Sequence, residues 1–388
     1  MTKYRFTPQT YWVLALAALT LATGCEDDLS ADGPPKPAAH RTYGDAPAAG
    51  VPAAPQVNPE AVLVAARPLF GALDPQAKNE ANPWTAPKAD LGRMLYYETR
   101  LSKNHDLSCN SCHDLEKFGV DVREIDGKRT KTSQGHKKAF GDRNSPTVYN
   151  AAFHLAQFWD GRAADVEAQA KGPILNPVEM AMPDEATVLA TLKSIPGYVE
   201  AFEAAFPDNT DPVTYDNMAN AIGVFERKLV TPSKFDAFIA GDAAALTGTE
   251  AAGLKTFMDV GCTQCHSGAL LGGNQFQKLG SVKPWPDAKD EGRFALTKSA
   301  PDKFSFKVPS LRNITETGPY LHDGSVESLE VMVQMMAEHQ LAKGSLTAEE
   351  TQSIMTFLGT LKGDVDAAYI KAPTLPPSGP DTPAPDAT

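Results

Sequence analysis

Basic charge is in deficit: 36 lysines and arginines face 48 aspartates and glutamates, for a net charge of −12. A nucleic-acid partner is excluded on that balance, and a basic redox protein fits it. Long apolar runs are missing too. The longest, Trp12 to Ala22, spans about eleven residues, too few to cross a bilayer. Strand signals are sparse, which points to a mainly α class, and no repeat of short period occurs. Large apolar residues are nearly absent from 26–57 and from the Pro-rich stretch 372–388, so neither can bury enough surface to offset its ordering entropy. A flexible linker and a disordered tail are expected there. Cysteine is scarce as well: five in 388 residues, with only Cys25 outside two short motifs.

Those motifs organise the chain. Cys109-Asn110-Ser111-Cys112-His113 and Cys262-Thr263-Gln264-Cys265-His266 both have the CxxCH spacing of covalent c-type haem attachment. The thiols Cys109, Cys112, Cys262 and Cys265 would add to the haem vinyl groups, leaving His113 and His266 as proximal iron ligands. From composition alone, one accidental copy has a probability on the order of 10⁻³ and two on the order of 10⁻⁶. A shared zinc site would not need the trailing histidines and suits poorly a separation of about 150 residues. A redox CxxC reading lacks a surrounding βαβ pattern.

The length allows two domains of ordinary size, one per haem. The N-terminus has Lys3 and Arg5, then the apolar run, then Thr23-Gly24-Cys25, which reads as an export signal. The segment LATGC resembles a bacterial lipoprotein signal, in which Cys25 would carry the lipid. The expected organisation is a signal over 1–25, a linker over 26–57, haem domains over 58–245 and 246–371, and the tail 372–388. Helical periodicity is visible at Glu60–Leu73, at Asp90–Glu98 and around Met218, Ile222 and Phe225. Capping-box patterns at Thr247–Glu250 and Thr347–Glu350 start two further helices. Long Gly- and Pro-bearing loops are expected at 116–147 and 267–310, of a length that suits wrapping a cofactor.

Four stretches carry a resemblance: LGRMLYYETRLS (91–102), GHKKAFGDRNSPTVYNAAF (135–153), QFWDGRAADVEAQAKGPILNPVEM (157–180) and FKVPSLRNITETGPYLHDGSVESLEVMVQMM (306–336). Over about residues 60–365 the chain resembles the bacterial dihaem cytochrome c peroxidases, whose relatives include the tryptophan-tryptophylquinone-forming enzyme of methylamine utilisation. The resemblance implies two cytochrome c-like, mostly helical domains with long loops around the haems and a calcium ion between the domains. It implies reduction of hydrogen peroxide to water at the N-terminal haem, with electrons from a small periplasmic donor, a cytochrome c or a cupredoxin. A homodimer follows in the same way, while the export signal and LATGC imply a periplasmic chain membrane-bound only through a lipid anchor on Cys25.

Residue by residue, Glu179 matches the family's catalytic glutamate and Gln169 its distal glutamine. His136 matches the removable distal ligand of the N-terminal haem, with Gly135 and Gly141 expected to flank a hinge. Trp159 matches the tryptophan between the haems, and Met336 the distal ligand of the C-terminal haem. Asn144, with the carbonyls of Thr317 and Pro319, matches the calcium site, and His322 lies in a motif near the second haem. The residues alone read more plainly. Glu179 would be a solvated carboxylate, His136 a surface histidine beside Lys137 and Lys138, Trp159 core packing, and Met336 a core methionine at i+4 from Met332. Met335 competes with it from about 100° round the helix. The methylamine relative has tyrosine where Met336 stands, which favours a peroxidase over an oxidase acting on a protein or organic substrate. A non-enzymatic dihaem electron carrier is the other alternative. His40, His105, His154 and His339 carry no assigned role.

Overall fold

The computed structural model describes residues 56–388. The expected signal, Cys25 and nearly all of the linker lie outside these residues. Local chemistry sets the helix ends. α1 (Pro59–Ala66) is capped by Asn58, whose side chain accepts from the Glu60 amide. It stops well short of Leu73 because Pro68, directly after the helical Arg67, offers no N–H to the ladder. α2 (Ala86–Tyr97) starts from the Thr85 cap with Pro87 in its first turn and leads into the one-turn α3 (Cys109–Cys112).

The middle of the chain is helical: α4 (Val166–Leu175), α5 (Glu185–Lys193), α6 (Pro196–Ala205), α7 (Tyr215–Glu226) and α8 (Lys234–Ala240). α9 (Gly248–Asp259) precedes the second motif, and after it come the short α10 (Phe294–Thr297), α11 (Leu329–Gln340) and α12 (Ala348–Gly359). At both Thr247 and Thr347 the hydroxyl accepts from the third helical residue while Glu250 or Glu350 returns to the cap amide, the two capping boxes expected from sequence.

Each motif is led in by a helix that crosses a later one at a glycine. A Cβ on Gly92 of α2 would lie 1.9 Å from the Ala221 carbonyl oxygen of α7, and one on Gly253 of α9 would lie 2.2 Å from the Ser353 carbonyl oxygen of α12. Only a glycine lets these backbones approach so closely. The crossings anchor two apolar clusters. One gathers α2 and α4–α7 around Leu91, Phe202, Met218 and Ile222. The other gathers α8, α9 and α12 around Phe235, Leu254 and Phe357, and takes in Val62 and Leu63 of α1, which precedes the first motif in sequence.

Sheet is minor, so the chain is mainly α as expected. Within 116–147, β1 (Glu124–Ile125) and β2 (Lys128–Arg129) pair antiparallel through an Asp126-Gly127 turn with both φ positive. Within 267–310, β3 (Phe276–Lys278) pairs with β4 (Ser305–Lys307).

Residues 372–388, expected to be disordered, instead follow an extended path with defined partners. Arg100 donates to the Pro376 carbonyl at 2.8 Å and to Ser378 Oγ at 2.9 Å. Ser194 Oγ lies 3.0 Å from Thr382 Oγ1, and the Asp386 amide donates to the Lys103 carbonyl at 2.9 Å. Composition excluded a core for this segment, not a strap. Proline presets φ, so docking costs less entropy, and a surface that offers donors to its carbonyls suffices.

Candidate functional site

Ser108 caps α3 in a box closed by Ser111, which winds Cys109 to Cys112 into one turn. Two thiols three apart on such a turn share a face. His113 closes it, with its Nδ1 3.2 Å from the Gly119 carbonyl and its own carbonyl accepting from Tyr96 Oη at 2.8 Å. The second motif repeats the device, with a tight turn over Cys262–Gln264 and His266 Nδ1 2.9 Å from the Leu271 carbonyl. A nitrogen facing a carbonyl must carry the hydrogen, so each histidine keeps Nε2 as its lone-pair nitrogen. Burial lowers both imidazoles and keeps them neutral. Burial also pushes Cys109 and Cys262 up to about 12, so both are thiols. Four free thiols and two oriented, neutral imidazoles fit c-type haem attachment at both motifs.

Beyond the first motif lies a cleft of about 280 Å³ lined by Phe158, Arg162, Ala168, Pro173, Asn176 and Glu179, among others. Asn176 Nδ2 donates to Glu179 Oε1 at 2.9 Å, and the Glu179 amide donates to the Asn176 carbonyl. Burial raises the Glu179 carboxyl, with Arg162 and the Asn176 hydrogen bond working against it. Gln169 stands on α4 next to Ala168 but is not among the residues lining the cleft. His136 is buried rather than on the surface, and its amide donates to the Glu179 carbonyl at 2.8 Å. Its Nε2 lies 3.4 Å from the Thr388 main-chain oxygen at the end of the strap. Left-handed backbone falls on Lys137 (φ 52°) and Lys138 (φ 60°), whereas Gly135 has φ −111°. The glycine is needed for space: a Cβ there would meet the Val178 carbonyl oxygen at 2.1 Å.

Trp159 joins the two halves. Its indole Nε1 donates to the Asn144 carbonyl at 2.9 Å, and its own carbonyl accepts from the Lys307 amide of β4 at 2.8 Å. It packs against the same apolar cluster as Met335 and Met336, so the thioethers and the indole line one environment. Asn144 Nδ2 donates to the Lys131 carbonyl, which turns Oδ1 the other way, and the Asn144 amide donates to the His322 carbonyl. That bond ties Asn144 to the segment carrying Thr317 and Pro319. His322 stacks on Phe306 at 4.1 Å, with Nε2 3.8 Å from Asp290.

Three participants were missed in the sequence. Asn176 orients Glu179; Arg123 reaches Cys112 Sγ at 3.3 Å and the Gln134 carbonyl at 2.9 Å; Arg143 bridges Asp160 and Asp290 at 2.8 and 2.7 Å. Asn176 sits three residues before Glu179, a local signal that an Asx turn could have supplied. The arginines act across loops whose path the residues do not encode locally.

Comparison with known proteins decides the family. Residues 86–244 match the family model described as di-haem cytochrome c peroxidase. The chain is 43% identical over 340 residues to the cytochrome c551 peroxidase of Pseudomonas aeruginosa, covering 86% of this chain and 95% of that one. The chain belongs to the dihaem cytochrome c peroxidase family. It is 32% identical over 311 residues to the methylamine utilization protein MauG of Methylophilus methylotrophus, covering 76% of this chain and 88% of that one. Among solved structures it resembles a MauG-like protein associated with microbial copper homeostasis, with TM-score 0.68, 28% identity, and coverage of 78% of this chain and 97% of that one. The peroxidase therefore has two c-type haems, and the two CxxCH motifs are the pair of sites its residues offer them.

Proposed function

We propose that this peroxidase reduces hydrogen peroxide to water at the His113 haem with electrons from a small periplasmic donor, a cytochrome c or a cupredoxin. Two electrons and two protons convert each peroxide into two waters. The haems, when bound, supply the redox iron; the chain supplies proton handling, orientation and the electron route.

The observation that carries this reading is Glu179, a half-buried carboxyl in the cleft, fixed by Asn176 and joined through its backbone to His136. A burial-raised carboxyl holds a proton at moderate pH and can pass it between the two oxygens of a bound peroxide. Asn176 pins one carboxylate oxygen, which leaves the other for proton transfer. Gln169 would hydrogen-bond peroxide or Glu179, and reaches the cleft only by a change of its side chain or of α4. His136 is the residue whose removal from the iron would open the site. The left-handed backbone at Lys137 and Lys138, costly for residues with a Cβ, suits a segment that changes conformation. Trp159 would carry electrons from the haem held by His266, to which Met336 would supply a thioether ligand, a ligand type that favours the reduced state.

The same reading assigns one haem domain to each motif, with α1 and α8, both inside the expected 58–245, packed instead into the cluster of the second motif, and a calcium ion held by Asn144 Oδ1 with the carbonyls of Thr317 and Pro319. It places the mature chain in the periplasm, lipid-anchored through Cys25, as a homodimer. The test is Glu179→Gln in the dihaem protein: turnover with peroxide falls about 10²-fold or more while both haems stay bound, and unchanged turnover removes Glu179 from this role.

A further inference from the structure

The strap 372–388 reaches the atom on which the opening of the first site depends. His136 Nε2 faces the Thr388 main-chain oxygen at 3.4 Å. That oxygen only accepts, so Nε2 carries a hydrogen in this arrangement. An iron takes the lone pair of a ring nitrogen instead. His136 would ligate through Nε2, as His113 and His266 are set up to do, so one nitrogen has two partners and serves only one at a time. On leaving an iron, Nε2 takes up a hydrogen and Nδ1 gives one up, and the ring stays neutral.

Thr388 is held in place for this contact by Lys103. Lys103 Nζ donates to the same main-chain oxygen at 2.8 Å and pairs with Asp386 Oδ2 at 3.3 Å, while the Lys103 carbonyl accepts from the Asp386 amide at 2.9 Å. Asp386 Oδ1 accepts in turn from the Thr388 amide at 2.8 Å and from its hydroxyl at 2.6 Å.

Lys103 is itself fastened to the peroxide cleft. Its amide donates to the carbonyl of Met180, the neighbour of Glu179, at 2.8 Å. The His136 amide donates to the Glu179 carbonyl at 2.8 Å. These contacts close a ring from Glu179 and Met180 to Lys103, through Asp386 and Thr388 to His136, and back to Glu179. On the other flank Arg123 donates to the Gln134 carbonyl at 2.9 Å and reaches Cys112 Sγ at 3.3 Å, which ties the His136 segment to the first motif. The peroxide chemistry above uses neither Lys103 nor the strap.

We propose that Lys103, with Asp386 and Thr388 of the strap, forms a latch that holds His136 in its released position and so keeps the first site open. This rests on His136 being the removable ligand, and it adds Lys103 and the strap as positioning residues. Latch and iron compete for one nitrogen, so weakening the latch shifts the balance toward the closed, iron-bound arrangement.

The test is the spin state of the Cys109/Cys112 haem in the intact half-reduced dihaem protein, read by electron paramagnetic resonance. Wild type is compared with Lys103→Met, Lys103→Arg and Asp386→Ala; the side chains of Lys103 and Asp386 are 24% and 48% exposed, so no core is disturbed. Lys103→Met raises the ratio of low-spin to high-spin iron at that haem by about 2- to 10-fold, the contribution of one hydrogen bond. Asp386→Ala moves the ratio the same way, and Lys103→Arg, which keeps a charged donor, restores most of it. In a His136→Ala background Lys103→Met has no further effect, because the latch acts only through that ring. An unchanged ratio in both Lys103→Met and Asp386→Ala overturns the latch, as does a shift that persists without His136. His136→Ala in the fully oxidised protein separates the two claims. Conversion of that haem to high spin upholds His136 as the ligand whatever becomes of the latch, and an unaltered signal overturns both. Spin state is read without peroxide turnover, so a failed latch and a failed peroxidase reading give different results.

Discussion

Glu226 sits on α7 among Tyr96, Cys109 and Glu167, and burial, reinforced by the Glu167 carboxylate, pushes it up to about 8. Its folded form keeps a proton that the unfolded chain releases near pH 4.5. The native state then binds more protons than the unfolded one between about pH 4.5 and 8, and stability falls with rising pH across that window. Glu226→Gln removes this dependence: the apparent melting temperature of the variant exceeds wild type most at pH 8, and the gap closes toward pH 4.5. A constant gap across that range would mean that Glu226 titrates normally. The two methionines divide at the same scale. Met336→Leu shifts the spectrum and lowers the potential of one haem, and Met335→Leu leaves both unchanged. The reverse pattern in a redox titration would make Met335 the ligand. Both side chains are half-buried in one cluster, so packing does not separate them, and the family match alone favours Met336.

Among the elements, the glycine crossings bear most directly on haem placement. Gly92→Ala and Gly253→Ala each force a Cβ into an opposing carbonyl, and each costs about 1–3 kcal/mol in thermal or denaturant unfolding. A neutral result at either would mean that the helices slide apart without penalty. The strap is the other element with a measurable consequence. Arg100 holds two of its acceptors and also pairs with buried Glu98 at 2.5 Å, so Arg100→Ala both frees the segment and strands a buried carboxylate. Limited proteolysis then cuts within 372–388 sooner than in wild type, and equal rates would mean that the remaining contacts suffice.

Helix starts were the most readable part of the chain. Thr247, Thr347 and their glutamates state a cap in four consecutive residues, and the structure builds it twice. The early stop of α1 was equally readable at Pro68 but lost to the apolar periodicity running past it. The strap was not readable, because its partners Arg100, Lys103 and Ser194 are remote in sequence and its own residues only say that it has no core. The His136 segment shows the same limit: glycines at 135 and 141 suggested a hinge, whereas the left-handed backbone falls on two lysines.

For the molecule as a whole, the haem count was legible from ten residues in two motifs, since covalent attachment and axial ligation demand fixed spacing. The inequality of the two sites was not legible from the motifs. In the proposed reading it comes from what each loop carries to its motif: the first half brings Glu179, Asn176 and buried His136 together, while the second brings the methionines into one cluster with Trp159. The same division of labour gives Lys307 two tasks, holding the Trp159 backbone by its amide and His154 by its ammonium. Its strand position, in a short β4 buried along its whole length, gave no alternation by which an inward lysine could be recognised.

The central claim is that the chain is a peroxidase with an electron-receiving haem at His266 and a peroxide-reducing one at His113. It is tested most directly by peroxide-dependent oxidation of a reduced small c-type cytochrome, run side by side on fully oxidised and on half-reduced dihaem protein. Rapid donor oxidation by the half-reduced form, abolished by Glu179→Gln, is the predicted result. A half-reduced protein that binds both haems yet leaves peroxide and reduced donor untouched would contradict it.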